Sequence, residues 1–211
     1  AYNQRDSFRQ IAGYPTQSTA INAPMSPDSA FNPVPGTQVN WRRRGWEQPR
    51  TTQSDLTTWR FTAAIEGSFQ LADRYFDWDV GTLFNETNLR VVNNGNFFIP
   101  NVRKAVGPSF TNAQGKVVCG VPGAEIAGCV PWNPFAGFGT GAVANSLDDP
   151  NVVKYLFKEE HALGETKTTS YFANLAGSLF TLPAGDLGFA VGYETRREEG
   201  GFAPDAIAQS G

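Results

Sequence analysis

Long apolar runs are missing from this 211-residue sequence. Nowhere do about 18 or more apolar residues follow one another, which excludes a membrane-crossing helix. Crossing strands stay open, because lipid-facing and lumen-facing residues alternate along them and keep the average low, as the mean hydropathy of −0.33 does here. Charge is scarce too: Asp, Glu, Lys and Arg make up 18%, against about 25% in ordinary soluble domains. The formal charge of −3 supplies no basic field to neutralise phosphates, so nucleic acid is not an expected partner. Histidine occurs once, at His161; a Ser/His/Asp triad would have to use it, and no nucleophile elbow accompanies it. The two cysteines have too few further ligands nearby for a zinc site. No enzymatic activity, catalytic residue, cofactor or metal is therefore expected. The opening Ala-Tyr-Asn-Gln-Arg lacks a charged stretch followed by an apolar one, so the export signal of an exported protein is expected upstream.

What is plentiful is Gly, Phe, Asn and Thr, a mixture suited to strands and polar loops. From Thr57 to Leu71 the residues alternate, with Trp59, Phe61, Ala63, Ile65, Gly67, Phe69 and Leu71 on one side and Arg60, Thr62, Ala64, Glu66, Ser68 and Gln70 on the other. This is the period-two signature of a strand. After the corner Ala72-Asp73-Arg74 it resumes with Phe76, Trp78, Val80, Thr82 and Phe84 opposite Asp77, Asp79, Gly81 and Asn85, predicting a short-turn hairpin over about 57–88. A second hairpin is predicted over about 169–198. Tyr171, Ala173, Leu175, Gly177 and Leu179 lead to the turn Pro183-Ala184-Gly185-Asp186, and Leu187, Phe189, Val191, Tyr193 and Thr195 follow. Phe172 and Phe180 interrupt the polar side. Residues 1–10 read as the end of a further strand.

Between the hairpins no period is sustained. Loops are expected over about 11–55, broken by Pro15, Pro24, Pro27, Pro33 and Pro35, and over about 92–167, where Asp148-Asp149-Pro150 marks the start of one short helix. Tight turns at one end and connections of dozens of residues at the other are foreign to soluble domains. They are the rule in outer-membrane barrels, with short periplasmic turns and long extracellular loops. The expected fold class is all-β, an antiparallel up-and-down meander forming part of a transmembrane barrel. Cys119 and Cys129, in the Gly-rich and Pro-rich segment CGVPGAEIAGC, fit a disulfide in an oxidising compartment, reduced structural thiols being the alternative.

The segment Leu182 to Arg196, LPAGDLGFAVGYETR, followed by Glu198 and Phe202-Ala-Pro-Asp205, resembles an LPAG…GFAxGxExR pattern in barrels of TonB-dependent receptors. Gly128-Cys129-Val130-Pro131-Trp132-Asn133-Pro134-Phe135 is similar to a GCVPxNxF segment of a proteobacterial branch. So are Arg43-Arg44, Glu47, Pro49 and Arg50 ahead of Trp59-Arg60-Phe61. The resemblance runs in order over about residues 40–205. It implies a barrel of about 22 strands with a plugged lumen, of which residues 1–211 would be an internal part without plug or TonB box. It also implies a location in the bacterial outer membrane and uptake of a nutrient such as a siderophore, carbohydrate or cobalamin. The implied partners are the remaining strands and plug, TonB, membrane lipid and lipopolysaccharide, and a small-molecule substrate.

Two groups of candidate residues follow. Arg60, Glu66, Asp77, Asp79, Glu194, Arg196 and Glu198 would face the lumen, the last three able to pair with a plug or, alternatively, only with neighbouring strands. Asp77 and Asp79 imitate a catalytic carboxylate pair, but lumen polarity accounts for them more simply. Trp41, Arg42, Arg43, Arg44 and Trp46 combine cations with aromatic surface in an expected outer loop, suited to an anionic or sugar-like ligand or to lipopolysaccharide phosphates; plain solvation of a basic cluster is the alternative. A different reading of the whole chain is a secreted β-sandwich that binds carbohydrate through exposed Trp41, Trp46 and Trp132.

Overall fold

A computed structural model of the chain describes residues 1–139, 141 and 143–210. Strands hold 56% of the residues and helices 9%, mostly in antiparallel arrangement, so the fold class is all-β. Five strands form the principal sheet: β1 (Tyr2–Ile11), β4 (Arg50–Leu71), β5 (Arg74–Asn94), β9 (Glu160–Leu182) and β10 (Gly185–Pro204), adjacent in that order. Neighbours in space are neighbours in sequence among these long strands, which is the expected meander. Between them come β2 (Pro15–Gln17) and β3 (Arg42–Arg44), paired as a ribbon, and β6 (Ser109–Thr111), β7 (Val117–Val121) and β8 (Ala124–Glu125), which form a small sheet. Among the described residues there are also three short helices, α1 (Ile99–Ala105), α2 (Pro150–Leu156) and α3 (Ala206–Gln209).

The chain divides into two compact units, the first made of Ala1–Asp6, Asp55–Arg90 and Leu163–Ala203, the second of Ser7–Ser54, Val91–Ala162 and Pro204–Gly211. In the first, β4 and β5 join through Ala72 and Asp73, both at positive φ (49° and 58°), as the two-residue hairpin turn that matches strand twist requires. Contacts fix its faces. Gly67 lies against Trp78 and Gly177 against Phe76 on one side, while Gly81 lies against Phe172 and Gly192 against Asn174 on the other. The predicted alternation of apolar and polar faces is therefore the observed one.

The second unit departs from the expectation. Both long stretches expected as loops carry a buried core of their own, in which Met25, Trp41, Phe97, Val102, Val106, Trp132, Val152 and Leu156 are almost wholly shielded. Helix α1 went unpredicted because only three of its seven residues, Ile99, Val102 and Ala105, are buried, too short a stripe to register as a period. Helix α2 begins where the sequence placed it: Asp149 caps it by accepting from the Asn151 backbone N–H at 2.9 Å, and Pro150 occupies the first turn, where its missing N–H costs nothing. The strands also run further than predicted, over 50–94 and 160–204 rather than about 57–88 and 169–198. Both of their faces turn polar at Asp55, Glu86, Glu165 and Lys167, which hides the alternation.

Candidate functional site

The first unit presents one apolar face and one polar face. Trp59, Phe61, Ile65, Phe69 and Leu71 on β4 are exposed, as are Val80 and Phe84 on β5, Tyr171 and Leu179 on β9, and Leu187, Val191 and Tyr193 on β10. Ile65 is 64% and Tyr193 70% accessible, and soluble monomers rarely leave so continuous an apolar area open. The face has a sharp border. Trp59, Phe84, Tyr171 and Tyr193 are the last aromatic residues on this face of β4, β5, β9 and β10 on the side away from the hairpin turns, with ring centroids 6.0 Å apart for Phe84 and Tyr171; Tyr2 of β1 joins them, its ring centroid 4.8 Å from that of Trp59, and Phe8 lies further along β1. Beyond the row the same faces carry Asp55, Glu86, Glu165, Lys167, Arg197 and Glu199. Lys167 is paired with Glu165, and Arg197 with Glu199 at 2.5 Å.

On the opposite face Glu66, Ser68, Asp77, Asp79, Asn174 and Ala190 line a cavity of about 760 Å³. Asn174 donates to Asp79 at 2.9 Å. Further along, Ser170 donates to Glu194 at 2.9 Å, while Arg196 pairs with Glu194 at 3.0 Å and with Glu198 at 3.7 Å. The three charges thus pair with one another and with a neighbouring strand. The Arg60 carbonyl accepts from the amino terminus of Ala1. Among the described residues no group of three or more His, Cys, Asp or Glu could hold a metal ion.

In the second unit the Trp41–Trp46 segment separates into parts with different roles. Trp41 is not available to a ligand: it is 2% exposed, donates its indole N–H to the Ala23 carbonyl at 2.9 Å and packs on Trp132. Trp132 is 0% exposed, so the carbohydrate-binding sandwich loses two of its three contact aromatics. Both tryptophans are core residues because apolar partners from distant parts of the chain close over them, which local sequence does not reveal. Trp46 remains exposed, with the Arg44 guanidinium 5.1 Å from its ring centre. Arg43 is ion-paired with Glu47, and their side chains are only 11% and 5% exposed.

The β2–β3 ribbon sets this geometry. Thr16 pairs with Arg43, Pro15 with Arg44 and Gln17 with Arg42. The ribbon's close approach depends on glycine at Gly13, where a Cβ would lie 1.7 Å from the Gly45 carbonyl oxygen. Tyr14, Thr16, Ile21, Arg42, Arg43 and Arg44 border a cavity of about 510 Å³. Tyr14, Thr16 and Ile21 were not legible as site residues, since only pairing across the long connection brings them to the arginines. The Cys119–Cys129 disulfide is formed, with Cα atoms 6.0 Å apart. Comparison of the chain with family models, with curated proteins and with solved structures returned no match.

Proposed function

We propose that this chain is a section of an outer-membrane β-barrel of the TonB-dependent receptor type, serving active uptake of a nutrient through a plugged barrel of about 22 strands. The observation that carries the reading is the bordered apolar face of the first unit. From Trp59 to Phe69 the strand advances about ten residues, or about 33 Å along its axis, and a tilt of about 45° reduces this to a height of about 23 Å. An outer-membrane barrel carries an outward apolar band about 25 Å tall between aromatic girdles. The row Trp59, Phe84, Tyr171 and Tyr193 supplies one such girdle, and the charges beyond it suit a headgroup region. The GCVPWNPF, LPAG and GFAVGYETR segments, in that order along the chain, support the family reading.

On this reading the face with Arg60, Glu66, Asp77, Asp79, Glu194, Arg196 and Glu198 turns toward the lumen and the plug. The remaining strands of the barrel pair with the edges of the sheet, since open edges are not tolerated in hydrocarbon. Lipopolysaccharide is the lipid partner outside, and TonB engages the plug side of the receptor. Flotation of the full-length protein with proteoliposomes tests the class: co-migration that withstands high salt and alkaline washing is expected, and a protein that stays soluble and monomeric without detergent contradicts it.

A further inference from the structure

The two connections between the long strands, residues 12–49 from β1 to β4 and residues 95–159 from β5 to β9, share one buried core. Ala23, Met25 and Trp41 enter it from the first connection, while Phe97, Val106, Trp132 and Leu156 are among those that enter from the second. The first connection is shorter than the about 40 residues that a self-standing fold usually needs. Its apolar side chains are therefore buried only by what the second supplies.

Hydrogen bonds run along the same seam. The Ser26 N–H donates to the Val106 carbonyl at 2.9 Å, and the Ser109 N–H to the Asp28 carbonyl at 3.1 Å. Ser109 Oγ, on a buried residue, accepts from the Ala30 N–H at 3.0 Å and lies 3.3 Å from Ser29 Oγ. Arg103 donates through Nε and Nη2 to the Ile21 carbonyl, at 3.1 and 2.9 Å. Tyr14 meets Phe97 edge to face, with ring centroids 5.9 Å apart. Parting the two connections would break all of these bonds and open Trp41 and Trp132 to water together. A close-packed core does not separate by degrees.

We infer that the two connections form a single body that opens only as a whole. On the receptor reading, on which this consequence rests, neither is a flap that swings aside by itself to admit a nutrient. Hydrogen exchange of the full-length protein, in whichever detergent or buffer keeps it monodisperse, tests the inference at two amides. The Met25 N–H bonds to the Val39 carbonyl at 2.9 Å, wholly within the first connection, and the Trp132 N–H to the Ala105 carbonyl at 3.0 Å, wholly within the second. Amides that open in one cooperative unit share its opening constant, so both should exchange alike. Val152→Ala, at a fully buried position in the second connection, should speed both by one common factor of at least about tenfold. Arg103→Gln, at an exposed position on the seam, leaves the core whole and should speed both about fivefold, so the test stands even where the core variant does not fold. Acceleration of Trp132 alone in the first variant, or of Met25 alone in the second, would overturn the inference. Flotation judges the other reading separately: a protein that stays soluble yet exchanges both amides together loses the membrane reading only, and one that floats but exchanges them separately loses this inference only.

Discussion

Trp41 meets Trp132 edge to face, with ring centroids 5.0 Å apart and planes at 80°. The pair joins two stretches of sequence that carry no local period, and Phe97, 5.4 Å from Trp132, extends it toward Phe157. Large aromatic side chains contribute more buried area than any others. Trp41→Ala should therefore lower the stability of the second unit by about 3–5 kcal/mol, read as earlier loss of near-ultraviolet circular dichroism in denaturant. A loss under about 1 kcal/mol, the range expected of a surface position, would return Trp41 to the exposed ligand-contact role.

Gly81 and Phe172 form a second dependent pair. A Cβ on Gly81 would lie 2.4 Å from Phe172 Cζ and 2.8 Å from the Ala63 carbonyl oxygen, so the ring fills the space that the glycine leaves. This accounts for an aromatic residue on the polar face of β9. Gly81→Ala should destabilise by about 1–3 kcal/mol, and part of that cost should vanish in a Phe172→Ala background, giving a measurable coupling. Additive effects of the two changes would mean the residues do not meet.

The β-face pattern of the first unit was legible because it is local: residues two apart share a face, and four runs repeat the alternation. The core of the second unit was not, because Met25, Trp41, Phe97 and Trp132 come together only through tertiary packing. In sequence Trp41 is indistinguishable from Trp46, yet one is 2% and the other 53% exposed. The arginines were visible as a basic cluster. Their separate roles depend on pairing between Thr16 and Arg43, which no motif announces.

The disulfide between Cys119 and Cys129 closes a short loop, at a sequence separation of 10. Crosslinks of this kind stabilise by about 2–4 kcal/mol, chiefly by restricting the unfolded chain. Cys119→Ser with Cys129→Ser should lower the denaturant midpoint of the second unit accordingly, and reductant should do the same to the unsubstituted protein. A midpoint insensitive to both would show that the crosslink is absent from the protein in solution.

Asp205 ties helix α3 to the start of β9. Its carboxylate accepts from the Ala208 backbone N–H at 2.7 Å and the His161 backbone N–H at 2.8 Å. The Ala208 bond foremost, then the His161 bond, hold its pKa below the usual carboxylate value against partial loss of hydration. The folded pKa being depressed, its contribution is present above the unfolded pKa of about 3.9 and is lost as pH falls through the folded pKa. Unfolding midpoints should show the original protein more stable than Asp205→Asn at neutral pH, with the gap closing in acid below about pH 3.9. A gap that does not change with pH contradicts the assignment.

The central claim is that the face bearing Trp59, Phe61 and Ile65 meets lipid, and adjacent alanines test it most directly. Ala63 belongs to that face and Ala64 to the opposite one, and a register slip of one residue would exchange them. Both side chains are small, and Cys119 and Cys129 are already joined, so single substitutions Ala63→Cys and Ala64→Cys each provide one site for a fluorophore. In the full-length protein reconstituted into bilayers, a quencher confined to the lipid chains should quench the label at position 63 and leave that at position 64 bright. Equal quenching at both positions, or the reverse order, would contradict the account.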